Sequence, residues 1–236
     1  MKLSEEQIQK LYDFTRQHYV YHYDLQTELV DHLANAIEEN WIQYPKLSFE
    51  EALQKEFKKF GIFGFQDVVE QRQKALNKKY NNLVWEHFKA FFKLPKIVAT
   101  LIGFYVFYKL VSKSDYQENI IFAFVAIFML VIFIKTYLAH QKLKAKFLET
   151  KKKWLFEEVI FRFGSFMAIL QFPLQIIIRI GGMSEDHKMT PFFLLLFCTI
   201  TFSLFIVGYV ILFIVPSKAE DYLKQTYPEY KLVNKL

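Results

Sequence analysis

Along the first 60 positions apolar residues recur at three- and four-residue intervals, the period of an amphipathic helix. Ile8, Leu11, Tyr12, Thr15 and Tyr19 fall on one face, Leu25, Leu29, Leu33, Ala36 and Ile37 on a second, and Leu53, Phe57 and Phe60 on a third. Ser4 with Gln7, and Ser48 with Glu51, have the spacing of a capping box, which satisfies two otherwise orphaned amides at a helix start. Asp24 is placed to cap the second helix and Gly61 to stop the third. Residues 1–65 therefore predict a three-helix domain. From Gln66 onward Val69, Leu76, Leu83 and Ala90 repeat at seven-residue intervals, with Tyr80 and His87 offset by four. This predicts a connecting helix over 66–94, about 40 Å long at 1.5 Å per residue. The heptad spacing suits either a homo-oligomeric coiled coil or packing against the chain's own helices, and Gln73 and His87 at core positions favour the second as much as the first.

Beyond residue 94 the alternation gives way to long apolar runs: Ile97 to Val111, broken by Lys109, then Ile120 to Ile134, Phe163 to Ile178 and Phe192 to Val215. A helix needs about 20 largely apolar residues to cross a bilayer. With their flanks the runs predict spans at about 95–112, 119–138, 158–179 and 191–215. Trp154, Tyr105, Tyr108 and Tyr137 suit interfacial anchoring. Ser217 with Glu220 predicts a last capping box, opening an amphipathic tail over 216–236 with Tyr222, Leu223 and Tyr227 on one side. The fold class is all-α: a small N-terminal cytoplasmic helical bundle, a long connecting helix and a four-helix transmembrane domain.

Charge refines this picture. The 236 residues carry a net charge of +6, yet residues 1–94 sum to −1 and residues 95–236 to +7. A nearly neutral N-terminal domain argues against nucleic acid as a partner. The connections around the spans hold 14 basic residues on one side, counted over 89–96, 135–153 and 218–235, against four on the other, Lys109, Lys113, Arg179 and Lys188. By the positive-inside rule both termini and the 140–153 link face the cytoplasm, and the acidic, amphipathic start lacks a signal-peptide pattern. Lys142, Lys144, Lys146, Lys151, Lys152 and Lys153 in that link are candidates for contact with anionic lipid, at roughly 1 kcal/mol per lysine near the surface. The simpler reading of the link is a helical extension of the spans.

Candidate chemistry is sparse. Cys198 is alone, which excludes an intramolecular disulfide and a cysteine-ligated zinc site. His18, His22 and His32 lie near Asp24, Glu28, Asp31 and Glu38, but their spacing matches no metal motif. His18 and His22 are read as packing or helix-end groups on one face of the first helix, and His32 as a half-buried imidazole. The four apolar cores hold no ionisable residue at mid-depth, where a coupled transporter or an intramembrane enzyme would place one. Glu158 and Arg162, one turn apart with Glu157 adjacent, read as an interfacial ion pair. No catalytic residue, cofactor or metal is expected. The alternative is a transporter subunit or membrane enzyme using Glu157, Glu158, Arg162, His87 and His140 at the cytoplasmic face.

Glu28-Leu29-Val30-Asp31-His32-Leu33, then Ala36-Ile37-Glu38-Glu39, and one helix later Phe57-Lys58-Lys59-Phe60-Gly61, resemble the pattern of HAAS-type helical domains. Those are cytoplasmic modules ahead of transmembrane segments in bacterial membrane proteins, often encoded beside PadR-like transcriptional regulators. The resemblance covers roughly residues 4–75. It departs from the family pattern at Phe60-Gly61-Ile62-Phe63, where leucine, glycine, an acidic residue and proline are usual. It implies a multi-pass protein of the bacterial inner membrane with a regulatory or adaptor role, whose helical domain binds a protein partner. Carried over by position, the matching residues are Glu28, Asp31, His32 and Gly61, in structural or partner-facing roles.

Overall fold

The computed structural model describes residues 2–162 and 189–230. Among the described residues the chain is helical and has no strand. In order the elements are α1 (Glu5–Gln17), α2 (Tyr23–Gln43), α3 (Phe49–Lys58), α4 (Gln66–Ala90), α5 (Lys96–Ser112), α6 (Gln117–Thr150), α7 (Leu155–Phe161), α8 (Pro191–Tyr209), a π-helical turn (Val210–Ile214), α9 (Val215–Ser217) and α10 (Ala219–Thr226). They form two compact units.

The first unit contains the described residues of 1–79 together with 146–159 and 227–230. Both expected capping boxes form: the Ser4 and Ser48 hydroxyls accept the Gln7 and Glu51 amides, and the Gln7 and Glu51 side chains accept the Ser4 and Ser48 amides. The inward stripes meet as expected, with Leu11, Leu25, Leu29, Leu33, Ile37 and Leu53 buried. Beside them the rings of Phe14, His18, Phe57, Phe60 and Phe65 interlock, His18 lying 4.4 Å from Phe57 in an edge-on contact. The third helix ends at Lys58 with Lys59 as its C-cap, earlier than the stop expected at Gly61; Gly61 turns the chain beyond it at φ +78°, and Gly64 follows at +55°. The left-handed region is open to glycine because it has no Cβ.

Asp24 departs from expectation. His22, not Asp24, is the N-cap residue of α2, and it makes no side-chain cap. The Asp24 carboxylate instead accepts the Leu155 amide at 3.1 Å. That contact spans 131 residues and lies beyond the reach of a local capping rule.

The second unit contains the described residues of 80–145 and 160–226. Phe107 and Val111 of α5 pack with Ile121 and Val125 of α6 and with Leu194, Phe197 and Cys198 of α8. Further along, Ile132 and Ala139 meet Ile211 and Leu212. Among the described residues two helices are long and apolar enough to cross a membrane, Gln117–Thr150 with 34 residues and Pro191–Ser217 with 27. On α6, Phe122, Ile127, Leu130 and Phe133 are exposed on successive turns, a surface of the kind that marks a membrane or a protein contact. α5 has 17 residues, about 25 Å at 1.5 Å per residue, just short of a hydrocarbon core of about 30 Å. Most of the expected third span, residues 163–179, lies outside the described residues.

The π-helical turn precedes Pro216. Proline has no N–H, and its ring presses on the carbonyl one turn back, so widening the helix there relieves both conflicts. The expected Ser217 cap lies two residues before α10, which begins at Ala219. Ser217 ends α9 and donates its hydroxyl back to the Ile214 carbonyl at 2.8 Å, a local bond that competes with capping.

Candidate functional site

Three features of the first unit carry its chemistry: an internal polar clamp, an exposed tip and a basic cleft.

The clamp begins with Trp154, which is 2% exposed. Its ring lies 5.4 Å from Tyr23, 5.0 Å from Tyr227 and 5.1 Å from Tyr230, so the expectation of an interfacial anchor is corrected. Around it, His22 Nε2 donates to Glu158 Oε2 at 2.9 Å, and Lys146 Nζ donates to Glu157 Oε1 at 2.6 Å and to the Tyr230 hydroxyl. The Tyr23 amide donates to the Lys153 carbonyl at 2.7 Å, and the Phe156 amide to the Tyr227 hydroxyl at 3.3 Å. Burial pushes the Tyr227 phenol well above its ordinary value, and the neighbouring Asp24 carboxylate pushes it the same way. Burial alone would lower the Lys146 ammonium, but its bonds to Glu157 and Tyr230 outweigh that and raise it. Lys146, one of the lysines expected to reach lipid, is thus held inside the unit. His22 belongs to the turn before α2, not to the end of α1, and Glu158, expected opposite Arg162, has His22 as a partner. Arg162 is exposed.

The tip lies at the end of α3. Glu28, Asp31 and His32 are exposed on α2, which corrects the half-buried placement expected for His32. The His32 ring sits 5.9 Å from Phe60, beside the Gly61 turn, so the structure brings His32 and Gly61 together at one end of the unit. Glu28 and Asp31 stay on the outer face. What the periodicity did not single out is that Ile62 is 99% exposed and Phe63 67% exposed. The signal for them was the departure from the HAAS pattern at Phe60-Gly61-Ile62-Phe63, two large apolar residues where an acidic residue and proline are usual.

The cleft, of about 700 Å³, is lined by residues of α1, the turn into α2, and the segment that ends α6. Arg16, Lys151, Lys152 and Lys153 contribute its charge, and Tyr12, Tyr21 and Tyr23 its aromatic walls. The Lys152 ammonium stands 4.1 Å over the Tyr23 ring and that of Lys153 4.8 Å over Phe147. Lys142 and Lys144 are exposed elsewhere on α6.

His18 donates from Nδ1 to the Phe14 carbonyl at 2.8 Å, the helix-end use expected of it. Among the described residues no three His, Cys, Asp or Glu side chains gather in a way that would hold a metal ion. No protein-family model, curated protein or solved structure matches this chain, so the likeness to HAAS-type domains rests on the quoted residues alone.

Proposed function

We propose that the protein is a regulatory or adaptor protein of the bacterial inner membrane, anchored by four spans with both termini in the cytoplasm, whose N-terminal helical unit, of HAAS type, binds a protein partner. The observation that carries this reading is the tip. Two large apolar side chains, Ile62 and Phe63, stand in solvent just after Phe60, whose ring meets the exposed His32 imidazole of α2, an apolar patch with a polar neighbour of the kind found in small protein interfaces. The membrane part of the reading is supported by two helices of spanning length and by the lysine bias of the connections.

The clamp supplies a means of regulation. The segments that follow α6 and α10 in the chain are built into the same unit as α1–α3, so movement at the ends of those helices acts on the partner-binding unit through covalent continuity and through Trp154.

A photo-crosslinking residue at position 62 or 63, in cells expressing the full chain, tests the proposal. Discrete protein adducts are expected at both positions and not at Lys74, an exposed site on α4. Glu28→Lys with Asp31→Lys is expected to weaken them. Adducts to lipid alone, or adducts equally abundant from position 74, would count against a protein partner.

A further inference from the structure

The cleft concentrates positive charge without an internal counter-charge. Arg16, Lys151, Lys152 and Lys153 line one concavity, and none of the described residues lining it is acidic. Arg16 has a carboxylate contact, to Asp13 at 3.9 Å, but both side chains are more than half exposed, where such a pair contributes little. Lys152 and Lys153 rest over aromatic rings, which orients the ammonium groups without neutralising them. Four like charges gathered from segments some 135 positions apart in the chain repel one another unless an anion lies among them.

The backbone repeats the point. The non-glycine residues with positive φ among the described residues are Tyr19, at +65°, and Lys151, at +57°. They sit in the two turns from which Tyr21 and Lys151 to Lys153 project. Lys151 closes α6, its amide bonding to the Phe147 carbonyl at 2.8 Å, in the left-handed position that glycine fills with the least strain. A lysine is held there against its conformational preference.

We propose that this cleft binds a phosphate-bearing ligand. The guanidinium of Arg16 and the ammonium groups of Lys151 and Lys153 take the phosphate, and Tyr21 and Tyr23 flank the organic portion. A phosphate dianion has the charge and the acceptor oxygens that a guanidinium fork and clustered ammonium groups recognise. About 700 Å³ exceeds what a bare ion fills and lies in the range that holds a small organic molecule. The tip residues play no part, so this site stands or falls independently of the partner reading.

The test uses the full chain in phosphatidylcholine nanodiscs, titrated calorimetrically with inorganic phosphate and with phenyl phosphate. A second arm measures its flotation with vesicles of phosphatidylcholine with or without phosphatidic acid. Saturable binding is expected in at least one arm, weakened about tenfold or more by Arg16→Gln or Lys151→Gln, the loss of a charge-assisted contact. It should be unchanged by Lys142→Gln with Lys144→Gln, which removes two charges from the same stretch outside the cleft. Binding of the free phosphates assigns a soluble ligand, and binding only to phosphatidic acid assigns a lipid headgroup; both uphold the site. Lys151→Gly separates charge from folding, because it is expected to raise the unfolding midpoint while weakening binding. Absence of saturable binding in both arms, equal loss from the Lys142/Lys144 variant, or full binding by the glycine variant would each overturn the proposal.

Discussion

Replacing Trp154 with alanine tests whether the link after α6 is an integral part of the N-terminal unit. The ring is 2% exposed and touches three tyrosines. Truncation removes about 200 Å² of buried surface, worth about 5 kcal/mol at about 25 cal/mol per Å². That agrees with the roughly 3–5 kcal/mol typical of buried aromatic-to-alanine changes. A unit of this size has only about 5–15 kcal/mol in total, so the loss is a large fraction of what holds it folded. Trp154→Phe keeps most of the packing and should lose about 1–2 kcal/mol. Hydrogen exchange on the full chain in nanodiscs reads the effect. In the alanine variant the amides of α1 to α3 should exchange about 100- to 4,000-fold faster, since each 1.4 kcal/mol is a factor of ten, with those of α5 and α8 unaffected. If only the amides near 150–160 loosen while α1 to α3 keep their protection, Trp154 merely rests on the unit and the coupling argument fails.

Three further outcomes follow from named contacts. Gly61→Ala should cost about 1 kcal/mol from backbone strain alone, since its φ is +78° and an added Cβ meets nothing within 4 Å; Gly64→Ala should cost more, because there the Cβ would lie 2.9 Å from Phe57 Cζ. Thermal unfolding of both variants checks the order. Glu56 is buried, accepting from Asn40 Nδ2 and Lys59 Nζ, each at 2.6 Å; burial raises its pKa, but these bonds outweigh it and the net shift is downward. Its contribution is therefore complete above the ordinary glutamate value of 4.5 and is lost as pH falls through the lower folded-state value. Glu56→Gln should cost about 2 kcal/mol at neutral pH and flatten the acid limb of a stability–pH curve. Tyr227 titrates in the opposite sense: its folded pKa is raised, so stability is intact below the ordinary value of 10.0 and falls as pH rises beyond it. Tyr227→Phe should cost about 1–2 kcal/mol at neutral pH, from the unsatisfied Phe156 amide, and should abolish that alkaline loss.

The local part of this architecture could be read from residue order. Ser4 and Ser48 cap their helices, Leu11 to Leu53 line the interior and Gly61 turns the chain after α3, because each of these depends on neighbours within about one helical turn. Asp24, His22, His32 and Trp154 were misplaced by the same rules. Asp24, His22 and Trp154 each fit a local role as cap, helix-face residue or interface anchor, and a distant segment overrode it; His32 follows the apolar stripe of α2 in sequence but stays in solvent.

By itself, then, the amino-acid order determined where the described residues are helical, which faces are apolar and that the runs within Gln117–Thr150 and Pro191–Ser217 are of membrane length, since periodicity and hydropathy are properties of neighbouring residues. The tertiary structure alone decided that residues 146–159 and 227–230 complete the unit begun by α1 to α3. It likewise decided that His22 meets Glu158 across 136 positions, and that Arg16 faces three lysines in one cleft. Such contacts form because burial of Trp154 and its tyrosines offsets the entropy of closing long loops, and no spacing along the chain encodes which distant partners will share that burial.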